Sequence, residues 1–197
     1  MSVAFTALLS YSFLNSATPG PNNIMLASSG VNFGFKRTIP HFLGVYLGFL
    51  FMLAVVCFGL GEIFTRFPEI QPIMKYAGSA YLLYLAWRVS QSSSIASVTV
   101  SKPFTFLEAA LFQYINPKAW ILAGTIPSAF VETSPVTLTD IGLLVTGHAM
   151  VSLPAILFWV LAGTQLRRYL SSPTKLKIFN YVMAILLVGT VGLILFG

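Results

Sequence analysis

Apolar residues run along the chain in six continuous blocks, approximately Val3–Ser29, Pro40–Gly61, Ile73–Val89, Phe104–Phe130, Ile141–Leu161 and Ile178–Phe196, with short polar stretches between them. Each block is near the ~20 residues that cross a hydrocarbon core about 30 Å thick at about 1.5 Å per helical residue. None shows the strict alternation over about ten residues that marks a transmembrane β-barrel. The pattern predicts an all-α integral membrane protein of six transmembrane helices.

The longest polar stretch, RVSQSSSIASVTVSK from Arg88 to Lys102, divides the blocks three and three. An odd number of spans per half makes the second half enter the membrane in the opposite sense. The expectation is one membrane domain over residues 1–197, built as inverted repeats of approximately 1–90 and 103–197 joined by a linker at 91–102. The first block of each half is interrupted, by TPGPNN (Thr18 to Asn23) and by INPKAW (Ile115 to Trp120). Pro19 and Pro117 lie 98 residues apart, and the same offset pairs Gly44 with Gly142. KYAGSAYLLY and NYVMAILLVG share a Tyr and a Leu pattern at a different offset. Interrupted spans in corresponding positions of two halves point to a substrate site near the bilayer midplane.

Pro19 and Pro21 each lack an amide hydrogen and clash with the preceding turn, while Gly20 permits a tight bend. The helix must stop there and restart. A restart bares N–H groups and a partial positive charge, which Asn22 and Asn23 are placed to cap. In hydrocarbon such groups cost several kcal/mol unless protein, water or ligand meets them, so the first and fourth helices are expected to break around a polar cavity. The second break carries Lys118, ten residues after Glu108 and fourteen before Glu132. A lysine at that depth costs about 2.5–3.5 kcal/mol and calls for a partner, either carbonyls freed at the breaks or an anionic ligand. A carboxylate between a half-helix N-terminus and Lys118 satisfies both.

Charge then orients the chain. The net charge is +6, but the cations form no polar domain that would grip nucleic acid. The first, third and fifth connections hold Lys36 and Arg37, Arg88 and Lys102, and Arg167, Arg168, Lys175 and Lys177; the second and fourth hold only Arg66 and Lys75. This asymmetry places the odd connections in the cytoplasm and both termini outside. A cleaved signal peptide ending near NSA is the competing reading of the N-terminus; it lacks a basic leader and would remove the first of six matched spans. Only 8% of residues are charged and 56% are hydrophobic, against roughly 25% charged in soluble domains. Cys57 is the sole cysteine, which excludes an intrachain disulfide, and packing is the role expected of it.

Polar residues elsewhere in the spans are candidates for the cavity wall: Tyr46, Gln113, Tyr114 and His148. Histidine titrates in the physiological range, so His148 is read either as a proton carrier or as a neutral core side chain. Asn116 and Lys118 are read either as ligands or as props for unwound carbonyls. Tyr81, Tyr84 and Trp87 suit packing and interface anchoring, and Gly44, Gly48, Gly59 and Gly61 suit close helix contacts. No metal-ligand spacing, Walker-type loop or cofactor motif occurs. An intramembrane hydrolase using Ser28 or Ser29 with His148 or Lys118 stays as an alternative, although no nucleophile turn is present. A passive channel or accessory subunit, which needs no coupling residue, is another.

The segments TPGPNNIMLASSGVNFGFKR, MKYAGSAYLLYLAWRV and FLEAALFQYINPKAW, in this order, strongly resemble the LysE/RhtB family of bacterial amino-acid exporters, and the resemblance extends over essentially the whole chain. The PGPNN form looks most like the cysteine and O-acetylserine exporter branch. The resemblance implies an inner-membrane, multi-pass transporter of small amino acids or derivatives, without enzymatic activity or cofactor, driven by proton antiport. Its expected partners are the substrate, protons and lipid, with a homo-oligomer allowed. It assigns the substrate site to Thr18, Pro19, Gly20, Pro21, Asn22 and Asn23 and to Asn116, Pro117 and Lys118, with Tyr46 and Gln113 added from their polarity, and leaves His148 and Lys118 as the candidates for proton coupling. The chain departs from many relatives after NPKA, where Gly124 and Thr125 replace bulkier, aromatic residues and bear on pocket size and substrate identity.

Overall fold

A computed structural model describes residues 3–59, 66–91, 102–131, 136–170 and 172–196. Within them the chain is all-helical: α1 (Phe5–Ala17), α2 (Pro21–Phe33), α3 (Phe35–Cys57), α4 (Ile70–Ser90), α5 (Phe106–Phe112, prolonged by a 3-10 turn over Gln113–Ile115), α6 (Pro117–Phe130), α7 (Leu138–Tyr169) and α8 (Pro173–Phe196). Among the described residues there is no strand, only an isolated antiparallel bridge between Val3 and Val131. Helices α3, α7 and α8 are long and apolar enough to cross a membrane. The first and fourth apolar blocks are each split into two shorter helices, α1 with α2 and α5 with α6.

Proline decides where the second member of each pair starts. Pro21 and Pro117 occupy the opening positions of α2 and α6, where a missing N–H costs nothing. The residues before them are extended, Gly20 at φ −173° and Asn116 at φ −90°. Helices α5 and α7 open with reciprocal capping boxes, Thr105 with Glu108 and Thr137 with Asp140.

Several expected connections are absorbed into helices. Lys36 and Arg37 sit in the first turn of α3, Arg88 in the last turn of α4, and Arg167 and Arg168 in the last turn of α7. Gly34 alone joins α2 to α3, at φ 78°. The reason is length: α7 has 32 residues and so runs about 48 Å, well beyond a hydrocarbon core of about 30 Å. The linker at 91–102 lies almost wholly outside the described residues, as do Glu62, Glu132 and Gly61.

Small residues set the helix crossings. Helix α2 lies along α7, where a Cβ on Gly163 would strike the backbone of Ala27 and one on Gly30 would come 2.7 Å from the Val160 carbonyl. Helix α3 packs on α5 through Gly44 and Gly48, against Phe106, Ala109 and Ala110. Helix α1 packs on α7 at Gly147, against Phe5 and Leu8, and α4 packs along α8. The offset of 98 that pairs Gly44 with Gly142 in the sequence does not describe this packing, because nothing lies near Gly142. Gly59 is likewise no packing residue: it takes φ 105° just after α3, with open space around it. Cys57, half-buried and free, packs against the cluster formed by Leu8, Met52, Leu53 and Ile126.

Outward faces carry large apolar side chains, among them Phe51, Ile121, Ile185 and Leu193. Hydrocarbon solvates such a girdle and water does not. Polar pairs are kept inside: Asn32 and Asn180 exchange amide hydrogen bonds of 2.9 and 3.1 Å between α2 and α8.

Candidate functional site

The end of α1 frees a set of carbonyls that no helical N–H can reach. Donors reach them from the break itself, from α2, from α6 and from α7. The Asn23 amide donates to the carbonyls of Ser16 and Thr18, both at 2.8 Å. Trp159 of α7 donates its indole N–H to Ala17 at 3.2 Å. The Thr18 hydroxyl donates to Asn15 at 3.0 Å, and the Lys118 ammonium donates to the Thr18 hydroxyl at 3.0 Å and, more weakly, to its carbonyl at 3.4 Å. Lys118 thus finds its partners in groups freed at the opposite break.

The asparagines do not act as the sequence predicts. Asn23 reaches backward to α1, and Asn22 pairs across the halves with Gln113 at 2.8 Å. Neither caps α2, whose N-cap is Gly20 and whose first turn has no side-chain cap. The physical reason is competition: the carbonyls stranded at the end of α1 are buried acceptors, and amide nitrogens are the donors within reach. The second break is closed differently. Asn116 caps α6 by accepting from the Lys118 N–H at 3.2 Å, and the Trp120 indole donates to the Tyr114 carbonyl at 2.9 Å. Gly78 of α4 lets that helix come against the Ile115 carbonyl.

Between the two breaks lies a cavity of about 70 Å³, room for several waters. Gly20, Pro21, Asn22, Asn23, Tyr46, Asn116, Lys118 and His148 line it together, from four helices and two breaks. Other expected site residues stand outside its wall. Thr18 meets Lys118 from the exposed side, Pro19 is exposed, and Gln113 is fully buried behind Asn22, where its amide also donates to Ala109 at 2.8 Å. Pro117 lines a larger groove of about 580 Å³ between α4, α6 and α8, and Lys118 lines that groove as well as the cavity. Tyr114 packs against Trp120, with ring centroids 6.3 Å apart.

His148 is buried against Phe49 at 4.7 Å between ring centroids, with its Nδ1 unpartnered. The Tyr46 hydroxyl donates to the Ala149 carbonyl at 3.1 Å, holding α3 to α7 beside that histidine. Asn15, Ser16 and Ser152 also line the cavity and escaped the sequence reading. A signal for them existed: Asn15 and Ser16 are polar residues just before the break, and Ser152 follows His148 by one helical turn on the same face.

The hydrolase alternative gains nothing from the geometry. The Ser29 and Thr38 hydroxyls are hydrogen-bonded to each other at 3.1 Å, and the Ser28 hydroxyl lies 3.4 Å from the Asn32 amide. Both serines line a second cavity, away from His148 and Lys118.

The Asn23 clamp yields a stability test. In Asn23→Leu the buried Ser16 carbonyl loses its donor, at a cost of about 1–3 kcal/mol. Thermal unfolding in detergent is expected to shift down accordingly, and an unchanged midpoint removes the clamp.

Comparison with known proteins adds the last observation. The cysteine/O-acetylserine efflux protein of Shigella flexneri serotype 5b is 28% identical over 187 residues, covering 94% of each chain. The protein of the same description from Escherichia coli K12 is 29% identical over 184 residues, covering 93% of each chain. No solved structure matches the chain. The LysE type translocator family matches residues 13–196, from within α1 to the end of α8 and across both helix breaks, and the chain belongs to that family.

Proposed function

We propose that the protein exports small zwitterionic amino acids or their derivatives, cysteine and O-acetylserine being the first to test, by proton antiport with alternating access. The observation that carries this reading is the cavity where both broken helices meet. There an uncapped helix start and the Lys118 ammonium stand together, a positive surface suited to a carboxylate. The substrate carboxylate binds between the first turn of α2, at Asn22 and Asn23, and Lys118. Its ammonium group lies toward the oxygens of Tyr46, Asn15 and Asn116, which keep acceptor capacity beyond the hydrogen bonds they make. Thr18, Pro19, Gly20, Pro21 and Pro117 shape the breaks, and Gln113 fixes Asn22. Binding draws Lys118 from Thr18 to the substrate.

Packing supports a six-span inverted repeat. Gly44 of α3 meets Phe106 and Ala109 of α5, and Gly147 of α7 meets Phe5 and Leu8 of α1. The pairs Phe5 with Phe106 and Leu8 with Ala109 are both 101 residues apart. Helix pairs α3 with α7 and α4 with α8 map onto themselves when the halves are exchanged. Arg167 comes against Gly34, and Arg88 and Lys102 share a cavity with Asn32 and His41, so the cation-bearing ends gather together. That end is cytoplasmic in this reading, with both termini outside.

His148 couples the proton in this reading: it is an imidazole on the cavity wall, and its Nδ1 has no hydrogen-bond partner to hold it in one state. In proteoliposomes with a pH gradient, labelled O-acetylserine is expected to accumulate against its gradient. His148→Gln is expected to abolish that accumulation while exchange at equal pH persists. Wild-type flux indifferent to the gradient defeats the antiport reading in favour of a channel.

A further inference from the structure

A second cavity, of about 50 Å³, opens where the ends of α2 and α4 meet the beginning of α3 and the segment leading into α5. Its wall includes Ser28 and Asn32 from α2, His41 from α3, Arg88 from α4, and Lys102 and Phe104. His41 is 1% exposed, and neither ring nitrogen has a hydrogen-bond partner. Two orphaned nitrogens in a packed interior are costly, and an apolar side chain of the same shape would avoid that cost. The ring lies 5.1 Å from that of Phe104, and the Arg88 guanidinium stacks over the same phenyl ring at 5.8 Å. An aromatic side chain thus holds an imidazole and a guanidinium on one wall, with the Lys102 ammonium at the exposed rim.

The local charge balance favours an anion. Among the described residues the acid that feels Arg88 is Glu108, which is engaged with Thr105 in the capping box of α5. The neighbouring hydroxyls and amides are neutral: Ser29 is paired with Thr38, and Asn32 with Asn180. Helix α2 is a wall of both cavities, with Asn22 on the first and Ser29 on the second. Seven residues separate them, about 10 Å along the helix axis.

We infer that this second cavity is an intake site on the cation-bearing side, holding the carboxylate of the transported amino acid between Arg88, Lys102 and His41 before it passes along α2 to the central cavity. The inference rests on the exporter reading for the identity of the ligand. Arg88 and Lys102 attract the carboxylate. His41 donates a ring N–H to it, which gives that nitrogen a hydrogen-bond partner.

Arg88→Gln and His41→Phe test the site in proteoliposomes, with labelled O-acetylserine supplied separately from each side. Both variants are expected to raise the half-saturating concentration on the cation-bearing side about tenfold, leaving the opposite side and the maximal rate unchanged. Equal shifts on both sides, or none in either variant, overturn the inference. A readout without transport separates it from the exporter reading: thermal stabilisation of detergent-purified protein by acetate, by inorganic phosphate and by phosphatidylglycerol. Stabilisation by acetate that both variants lose supports the site even if wild type fails to transport, and that failure then falls on the exporter reading alone. Stabilisation by phosphate or phosphatidylglycerol but not by acetate overturns the carboxylate assignment.

Discussion

Lys118→Met is expected to lower export about 10–100-fold while raising or preserving thermal stability. The methionine keeps most of the apolar stem that packs beside Gly20 and removes only the ammonium. Helix α6 keeps its cap, because Asn116 accepts from the backbone N–H of residue 118. The Thr18 carbonyl keeps the Asn23 amide at 2.8 Å. In the proposed binding mode, what disappears is a hydrogen bond from a charged donor to the substrate carboxylate, worth about 1.5–3 kcal/mol. A cation within a span costs about 2.5–3.5 kcal/mol on insertion, so its removal does not weaken the fold. Initial rates of counterflow, set against protein quantified in the same vesicles, give the result. Wild-type rates in Lys118→Met would take the ammonium out of the substrate site. Lys118→Arg is expected to be impaired too, since a planar fork replaces a compact charge where a Cβ on Gly20 would already stand 3.1 Å from the lysine stem.

Gly163→Val is expected to be the most damaging substitution for the fold. Helices α2 and α7 approach backbone to backbone there. A single added carbon at Gly163 would collide with the Ala27 carbonyl, and one at Gly30 would come 3.0 Å from the Thr164 nitrogen. Backbone cannot turn aside as a side chain can, so the helices must separate. Overpacking costs about 1–3 kcal/mol where neighbours can adjust, and a rigid crossing lies at or beyond the upper end. Separation of these helices also carries Trp159 from the Ala17 carbonyl and opens the first break. The expected readout is loss of a monodisperse peak in size-exclusion chromatography, or an unfolding midpoint well below wild type. Gly124→Val serves as the control, because nothing lies within 4 Å of the Cβ it would add. Equal stability of the two variants removes the crossing as a determinant of the fold.

The helix breaks were legible because proline acts locally: Pro21 and Pro117 sit at helix starts whatever surrounds them. The cavity between those breaks was legible for a related reason, since bared backbone groups in hydrocarbon demand a polar setting. Partner choice was not. Asn22 and Asn23 have the right chemistry for capping, but the outcome depends on carbonyls of α1 and on Gln113, 91 residues away in sequence. Nothing in the sequence marks Trp159 beyond its being an aromatic in an apolar span, and its indole is spent on a carbonyl 142 residues away. Charge does not mark a helix end at Arg167 and Arg168, because a helix longer than the bilayer can carry charge on its projecting turns. His41 gave no signal in the sequence, because its burial and its lack of partners arise only when α2, α3 and the segment around Phe104 close over it.

Two of the donors that quiet the first break, Lys118 and Trp159, come from far along the chain, and this has a bearing on biogenesis. Synthesis proceeds at roughly 5–20 residues per second, so Trp159, 142 residues beyond Ala17, leaves the ribosome roughly 7–30 s later. Lys118, 100 residues beyond Thr18, also comes seconds late. During that interval the nascent α1–α2 pair has only Asn23 and Thr18 to answer its carbonyls and must stay hydrated, at a translocon or near the headgroups. The broken first span, though made first, is therefore expected to settle to full depth only after the second half arrives.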